Sequence, residues 1–169
     1  KEVSVVGDNQ KHIISTLNRL RKSYSYVFTT GGIGPTHDDI TSKSIAKAFN
    51  KRYIIHREAY KLLKSYYPRN ELNEGRLKMT KMPSGAKLIK NPMTVAPGFI
   101  IGNVFALPGV PKIMQTMFIN LLKTLKYSDP IISVTVRTNL YESIIAKNLG
   151  IIQKKYKDYE IGSYPRFDL

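Results

Sequence analysis

The 169-residue sequence contains no cysteine. There is therefore no disulfide, no thiolate-held zinc, no iron–sulfur cluster and no thiol nucleophile. Long apolar runs are absent too. Stretches such as Phe99-Ile100-Ile101 and Val104-Phe105-Ala106-Leu107 are strand-sized, far short of the ~20 residues that span a bilayer, so no membrane partner is expected. The start of the chain lacks a signal peptide's apolar core, and the expected location is the cytoplasm. The chain opens on Lys1 and not on Met, and it is expected to be a fragment. Acidic residues are scarce, 12 against 27 basic ones, for a formal charge of +15. Such a surface attracts polyanions. The lysines are nevertheless dispersed along predicted helices, and no aromatic-studded basic strand resembles an RNA platform. A solvated basic surface is the favoured reading, and a nucleic-acid-binding module the disfavoured one.

What is present is an ordinary apolar share of 42% with no low-complexity tract. That excludes intrinsic disorder and suffices for one compact domain with a small appendage. The apolar period switches repeatedly between two and 3.6, the pattern of an alternating α/β chain. Val3–Val6 reads as a strand, Ile13, Ile14, Leu17 and Leu20 as a helix capped by Asp8 or Asn9, and Tyr26–Thr30 as a second strand. This unit predicts a right-handed crossover between parallel strands. Helices are predicted through Ile45–Phe49, over Arg57–Tyr66 and over Glu71–Met82, the last stopped by Pro83-Ser84-Gly85. Phe99–Ile101 and Val104–Leu107 read as a hairpin closed by Gly102-Asn103, followed by an amphipathic helix from Ile113 to Leu122. Asp129-Pro130 reads as a boundary, followed by a strand at Ile131–Arg137, a helix at Tyr141–Leu149 and the start of a strand at Tyr159–Tyr164. The expected fold is a three-layer αβα domain with a mostly parallel sheet over residues 1–127. The start of a small α/β subdomain is expected over 130–169.

The most informative segment is Thr29-Thr30-Gly31-Gly32-Ile33-Gly34-Pro35-Thr36-His37-Asp38-Asp39-Ile40-Thr41, at the carboxyl end of a predicted buried strand. In open α/β sheets that is where ligands bind. Its glycines let backbone N–H groups approach an anion, and the following helix N-terminus adds partial positive charge. A Walker loop is excluded, because no Gly-Lys-Ser/Thr ending is present. The dinucleotide fingerprint is excluded too, because His37 takes the place of its last glycine. A plain strand-to-helix turn capped by Asp39 or Thr41 would also satisfy the glycines. The adjacent Asp38 and Asp39 favour a site, since paired carboxylates repel an anion unless a cation or ligand donor intervenes.

This segment resembles the signature of the molybdopterin-binding, MoaB/Mog-like domain family. The Thr36-His37-Asp38-Asp39 form is typical of the N-terminal domain of competence/damage-inducible protein A (CinA) and of the matching domain of FAD synthases. Val5-Val6-Gly7-Asp8, Arg76–Gly85, Asn91-Pro92 with Ala96–Phe99, and Leu107-Pro108-Gly109-Val110-Pro111 agree with it. Glu142–Ala146 and Glu160–Pro165 resemble the small segment that follows in the same proteins. The resemblance implies that Gly31, Gly32 and Gly34 cradle a phosphate of molybdopterin or a nucleotide, with Thr30, Thr36 and Thr41 supplying hydroxyls. It implies that Asp38 and Asp39 handle ligand and hold a divalent cation such as Mg2+, and that Pro108, Gly109 and Pro111 form a second loop. The implied activity is a metal-dependent pyrophosphatase acting on FAD or ADP-ribose, in a homo-oligomer. By the same resemblance a first strand and its loop, about 40 residues with the usual connections, would precede Lys1. Lys43 stands where many relatives carry Glu. An inactive truncated relic, poorly soluble or self-associating, is the alternative expectation.

The remaining polar candidates are weak. His12 reads as a surface residue and His56 has no evident partner; Met79, Met82, Met114 and Met117 read as core filler.

Overall fold

Local capping fixes the first helix. In the computed structural model, which describes residues 1–68, 71–126 and 132–165, Asn9 caps helix α1 (Gln10–Ser23). Its side-chain oxygen accepts from the N–H groups of Lys11 and His12 at 3.0 and 3.2 Å. Strand β1 (Val27–Thr30) follows, then helix α2 (Thr41–Ala48), strand β2 (Tyr53–Ile55) and helix α3 (Arg57–Tyr66). His56 caps α3, its ring nitrogen accepting from the Ala59 N–H at 3.5 Å. A short helix α4 (Glu74–Lys78) leads into strands β3 (Lys81–Pro83), β4 (Lys87–Ile89), β5 (Gly98–Ile101) and β6 (Val104–Leu107), and then helix α5 (Pro111–Leu122). Pro111 opens α5, where its missing N–H costs nothing.

The main sheet has the order β1-β6-β5-β4. Strand β1 runs parallel to β6, with Val27 opposite Val104 and Thr30 opposite Leu107. The β4-β5-β6 meander is antiparallel. The α/β class therefore holds, and the mostly parallel sheet is realised as a mixed one. Its parallel part is confined to the pair that carries the glycine loop, because the Gly102 turn (φ 56°) folds β5 directly back onto β6. Asn103 secures that turn, its amide donating to the carbonyls of Arg21 and Tyr24 at 2.9 and 2.7 Å.

Alternation along the strands divides the core in two. Val104 and Ala106 of β6, with Phe99 and Ile101 of β5, pack with Leu17, Ile45 and Ala48 from α1 and α2. The intervening Phe105 and Leu107 face Met117 and Leu121 of α5. This period-two split produces the three layers. Phe28 stacks on Phe105 at 5.0 Å and meets Phe118 edge-on at 5.2 Å, extending the second core to β1. Met82 and Met117 are core residues as expected, whereas Met79 and Met114 are only partly buried.

Four expectations are corrected. Val3–Val6 forms no strand and pairs with no described strand, and Val3 and Val5 are 93% and 98% exposed. The predicted crossover from it to Tyr26–Thr30 therefore does not form. Nor is β1 a buried strand: it lies at the sheet edge, with Phe28 and Thr30 exposed. The helix over Glu71–Met82 shrinks to α4, because Lys81–Pro83 is recruited as β3 against β2. Helix α2 has Ile40 as its N-cap with no side-chain cap, so neither Asp39 nor Thr41 serves that role.

The chain divides into two units, Lys1–Lys126 and Tyr127–Leu169. In the second, helix α6 (Glu142–Lys155) runs past the predicted end at Leu149. Residues 132–137 and 161–164 form no strand, correcting the two strands expected there. Ile132, Val134 and Val136 alternate as a strand would, yet remain 82–86% exposed, with no strand to pair them among the described residues. Ile131 and the Asp129-Pro130 boundary lie outside the described residues. Among the described residues, no helix is long and apolar enough to cross a membrane.

Candidate functional site

Because β1 and β6 are parallel neighbours, their carboxyl ends open side by side into two loops. Gly31 continues the ladder, its N–H donating to Leu107 O at 3.0 Å. The loops then meet back to back: a methyl group added at Gly109 would lie 3.2 Å from Gly31 Cα. Gly31 and Gly32 have φ of 95° and 70°, the left-handed region that glycine alone enters freely. Sterics at Gly32 are tighter still, since a Cβ there would sit 2.0 Å from Thr41 Oγ1.

The loop is braced internally. Gly32 O accepts from the Thr41 N–H at 2.9 Å, locking the loop to the start of α2. Ile33 packs into the core beneath it. Asp39 Oδ2 accepts from both the N–H and the hydroxyl of Thr36, at 2.8 and 2.6 Å. Gly34 makes room for that carboxylate, which would be 2.7 Å from a Cβ at this position. Among the described residues the N–H groups of Gly32, Ile33 and Gly34 donate to no acceptor. With the uncapped start of α2 beside them, they form a cluster of unused donors at the positive end of a helix.

The two aspartates differ. Asp39 is half-buried and held by Thr36, whereas Asp38 is exposed. The Asp38 carboxyl lies below its ordinary pKa of 3.8, first through the Thr36 hydroxyl, then its own backbone N–H, His37 and Lys78. A hydroxyl has one proton, so the carboxylates compete for it, and the bond with full geometry goes to Asp39. Tyr53 on β2 senses the same cluster: burial first and the Asp39 charge second push its phenol above 10.0.

Most of the expected residues converge. Thr30, Gly31, Gly32, Gly34, Thr36 and Thr41 lie along one loop, and Pro108, Gly109 and Pro111 on the abutting one. Asp38 and Asp39 supply carboxylates, but among the described residues no group of three or more His, Asp or Glu gathers as a metal cage. A cation at this pair would take its remaining ligands from phosphate and water.

Sequence reasoning missed three contributors. Lys78 donates from α4 to Thr36 O, and Gly75 of the same helix lies against Pro35. Nothing in the sequence announces a contact between residues so far apart in the chain. Tyr53 is the second. The third is Thr29, inside β1 opposite Ala106, whose hydroxyl is buried without a partner. Such a group costs about 1–3 kcal/mol unless something meets it. Two concavities lie elsewhere, about 640 Å3 in the second unit and about 620 Å3 beside α3, and neither is lined by a glycine-loop residue.

Residues 1–127 match the family described as "Probable molybdopterin binding domain", and residues 130–169 match "FAD synthase, middle domain". A protein of Archaeoglobus fulgidus is 34% identical over 166 residues, covering 98% of this chain and 71% of that protein. A CinA-like protein of Kosmotoga olearia is 40% identical over 121 residues, covering 68% of this chain and 29% of that protein. A putative competence-damage inducible protein of Clostridium botulinum is 31% identical over 175 residues, covering 96% and 42% respectively. The chain thus spans less than half of each of these last two. Among solved structures, the protein CinA from Thermoplasma acidophilum matches with a TM-score of 0.62 at 33% identity. That match covers 69% of this chain and 72% of the other.

Proposed function

The chain belongs to the family of probable molybdopterin-binding domains, in its CinA-like form, and from that premise we propose that it binds the phosphate of a phosphorylated pterin or nucleotide. The observation that carries this reading is the set of unused N–H donors at Gly32, Ile33 and Gly34, beside the start of α2 and opposite Gly109. Anions gather at such a place because donors and helix dipole point the same way.

The proposed reaction is hydrolysis of a phosphoanhydride in a dinucleotide such as FAD or ADP-ribose. Water attacks one phosphorus, the bridging P–O bond breaks, and two phosphate monoesters leave with a proton released to solvent. A divalent cation, when bound, supplies charge neutralisation and a more acidic water. Asp38, exposed and held ionised, is the residue to bind it; Asp39, fixed by Thr36, is the one to orient ligand or water. Lys78 steadies the Thr36 backbone. The loop amides keep the phosphate in place while charge develops on it.

Calorimetric titration of the chain with ADP-ribose, FAD and a pterin phosphate, with and without Mg2+, tests the reading. Saturable binding of at least one is expected. Asp39→Ala should weaken binding or turnover tenfold or more. Absence of binding by all three overturns the ligand class, and wild-type turnover by Asp39→Ala removes its role.

A further inference from the structure

Helix α4 lies against the glycine loop, with Gly75 beside Pro35. It carries two cations, Arg76 and Lys78, and the fold uses them differently. The Arg76 guanidinium is neutralised within the protein, by an ion pair of 2.9 Å to Glu71. It also packs over the Tyr67 ring at 3.9 Å. Lys78 is half-buried and reaches 42 residues back along the chain to donate to the Thr36 carbonyl, a neutral acceptor. Among the described residues it forms no ion pair. An ammonium has three N–H donors, and one carbonyl occupies one of them. Thr36 follows Gly34 by two residues, so this ammonium is anchored at most about 7 Å along the backbone from the unused loop amides. Resting on the phosphate-binding reading of that loop, we propose that Lys78 binds the second phosphate of a diphosphate and so makes the site select phosphoanhydrides over phosphate monoesters.

The loop by itself does not supply that second contact. Consecutive amides such as those of Gly32, Ile33 and Gly34 form a small anion-binding concavity that suits one phosphate. A neighbouring phosphate needs donors of its own. It also needs positive charge, because Asp38 and Asp39 already bring two carboxylates to the loop.

Lys78 answers both needs. Its ammonium is a compact charge on a flexible stem, so it can exchange the Thr36 carbonyl for a phosphate oxygen while α4 stays in place. The exchange is favourable, since a hydrogen bond between two ions is stronger than one to a neutral carbonyl. Arg76 is not free to do the same, because leaving Glu71 would strand that carboxylate. A lysine that merely fastened α4 to the loop would support every ligand equally. One that holds the second phosphate sets the ratio between diphosphate and monophosphate.

The test is calorimetric titration of the chain with ADP and AMP, with EDTA present so that no divalent cation substitutes for the ammonium. The wild-type chain is expected to prefer ADP by about tenfold or more, the value of one hydrogen bond to a charged group. Lys78→Met, which keeps the stem and removes the charge, should bring the two affinities within about twofold of each other by weakening ADP. Lys78→Arg, which restores a cation, should retain the preference for ADP. Equal loss of both nucleotides in Lys78→Met would show a fastening role alone and overturn the proposal, as would an ADP preference that survives this substitution. Saturable AMP binding with no preference for ADP in the wild-type chain also overturns it, while leaving the glycine loop as a phosphate site. Binding of neither nucleotide overturns both readings together.

Discussion

The two units of this chain have similar sequence patterns and opposite structural outcomes. In the first, alternating strands and amphipathic helices bury residues such as Phe99, Val104, Ala106 and Met117 to 2% exposure or less. In the second, Ile132, Val134 and Val136 alternate just as cleanly and Ile144, Ile151 and Ile152 recur along α6, yet no described side chain there is buried. The difference is the second layer. Strand β6 has β1 on one side, β5 on the other and helices over both faces. Periodicity specifies which face of an element is apolar, and burial follows only when another element covers it.

Substitutions in the two units should widen that contrast. Phe99→Ala, deep in the core on the α1/α2 face, should cost about 3–5 kcal/mol, read as a fall in the urea midpoint. Gly32→Ala comes next, because it meets both a φ of 70° and a Thr41 contact at 2.0 Å. About 1–3 kcal/mol is expected. Gly85→Ala sharpens this case: its φ is 84° but nothing lies within 4 Å, so it should cost less than Gly32→Ala in the same denaturation series. At the small end, Ile151→Ser at an exposed position of α6 should cost the second unit no more than about 0.5 kcal/mol. A larger loss there would mean that Ile151 is covered in solution.

The N-terminal segment repeats the contrast inside the first unit. Val3 and Val5 are exposed, and what holds this stretch is polar: Arg19 reaches Glu2 Oε1 and Oε2 at 2.6 and 2.8 Å. That hydrogen bond is the first cause of a Glu2 pKa lowered from 4.5 to about 2, with Ser4 next. The tie is therefore complete above pH 4.5 and is lost as pH falls through about 2. A carboxyl titration followed by NMR should show this midpoint, and Arg19→Ala should return it toward 4.5.

How much of this was legible follows the same physics. The hairpin at Gly102-Asn103, the Asn9 cap of α1 and helix α5 were readable because each is a local decision made by a few neighbouring residues. The glycine loop was readable for the same reason: three glycines and two aspartates sit within nine residues. Strand β3 was not, because Lys81-Met82-Pro83 becomes a strand only by pairing with Tyr53–Ile55. Lys78 and Tyr53 reach the site through that same non-local pairing. The unpaired Val3–Val6 shows the converse, a strand pattern with no described strand beside it.

The most direct test of the loop pair as a phosphate cradle is an amide NMR titration with ADP-ribose and Mg2+. Saturable shifts should appear at the N–H groups of Gly32, Ile33, Gly34 and Gly109, whereas Gly150 in the second unit should stay fixed. Saturable binding that leaves those loop amides unmoved would contradict the assignment, because the donors that define the site would then not be the ones the ligand uses.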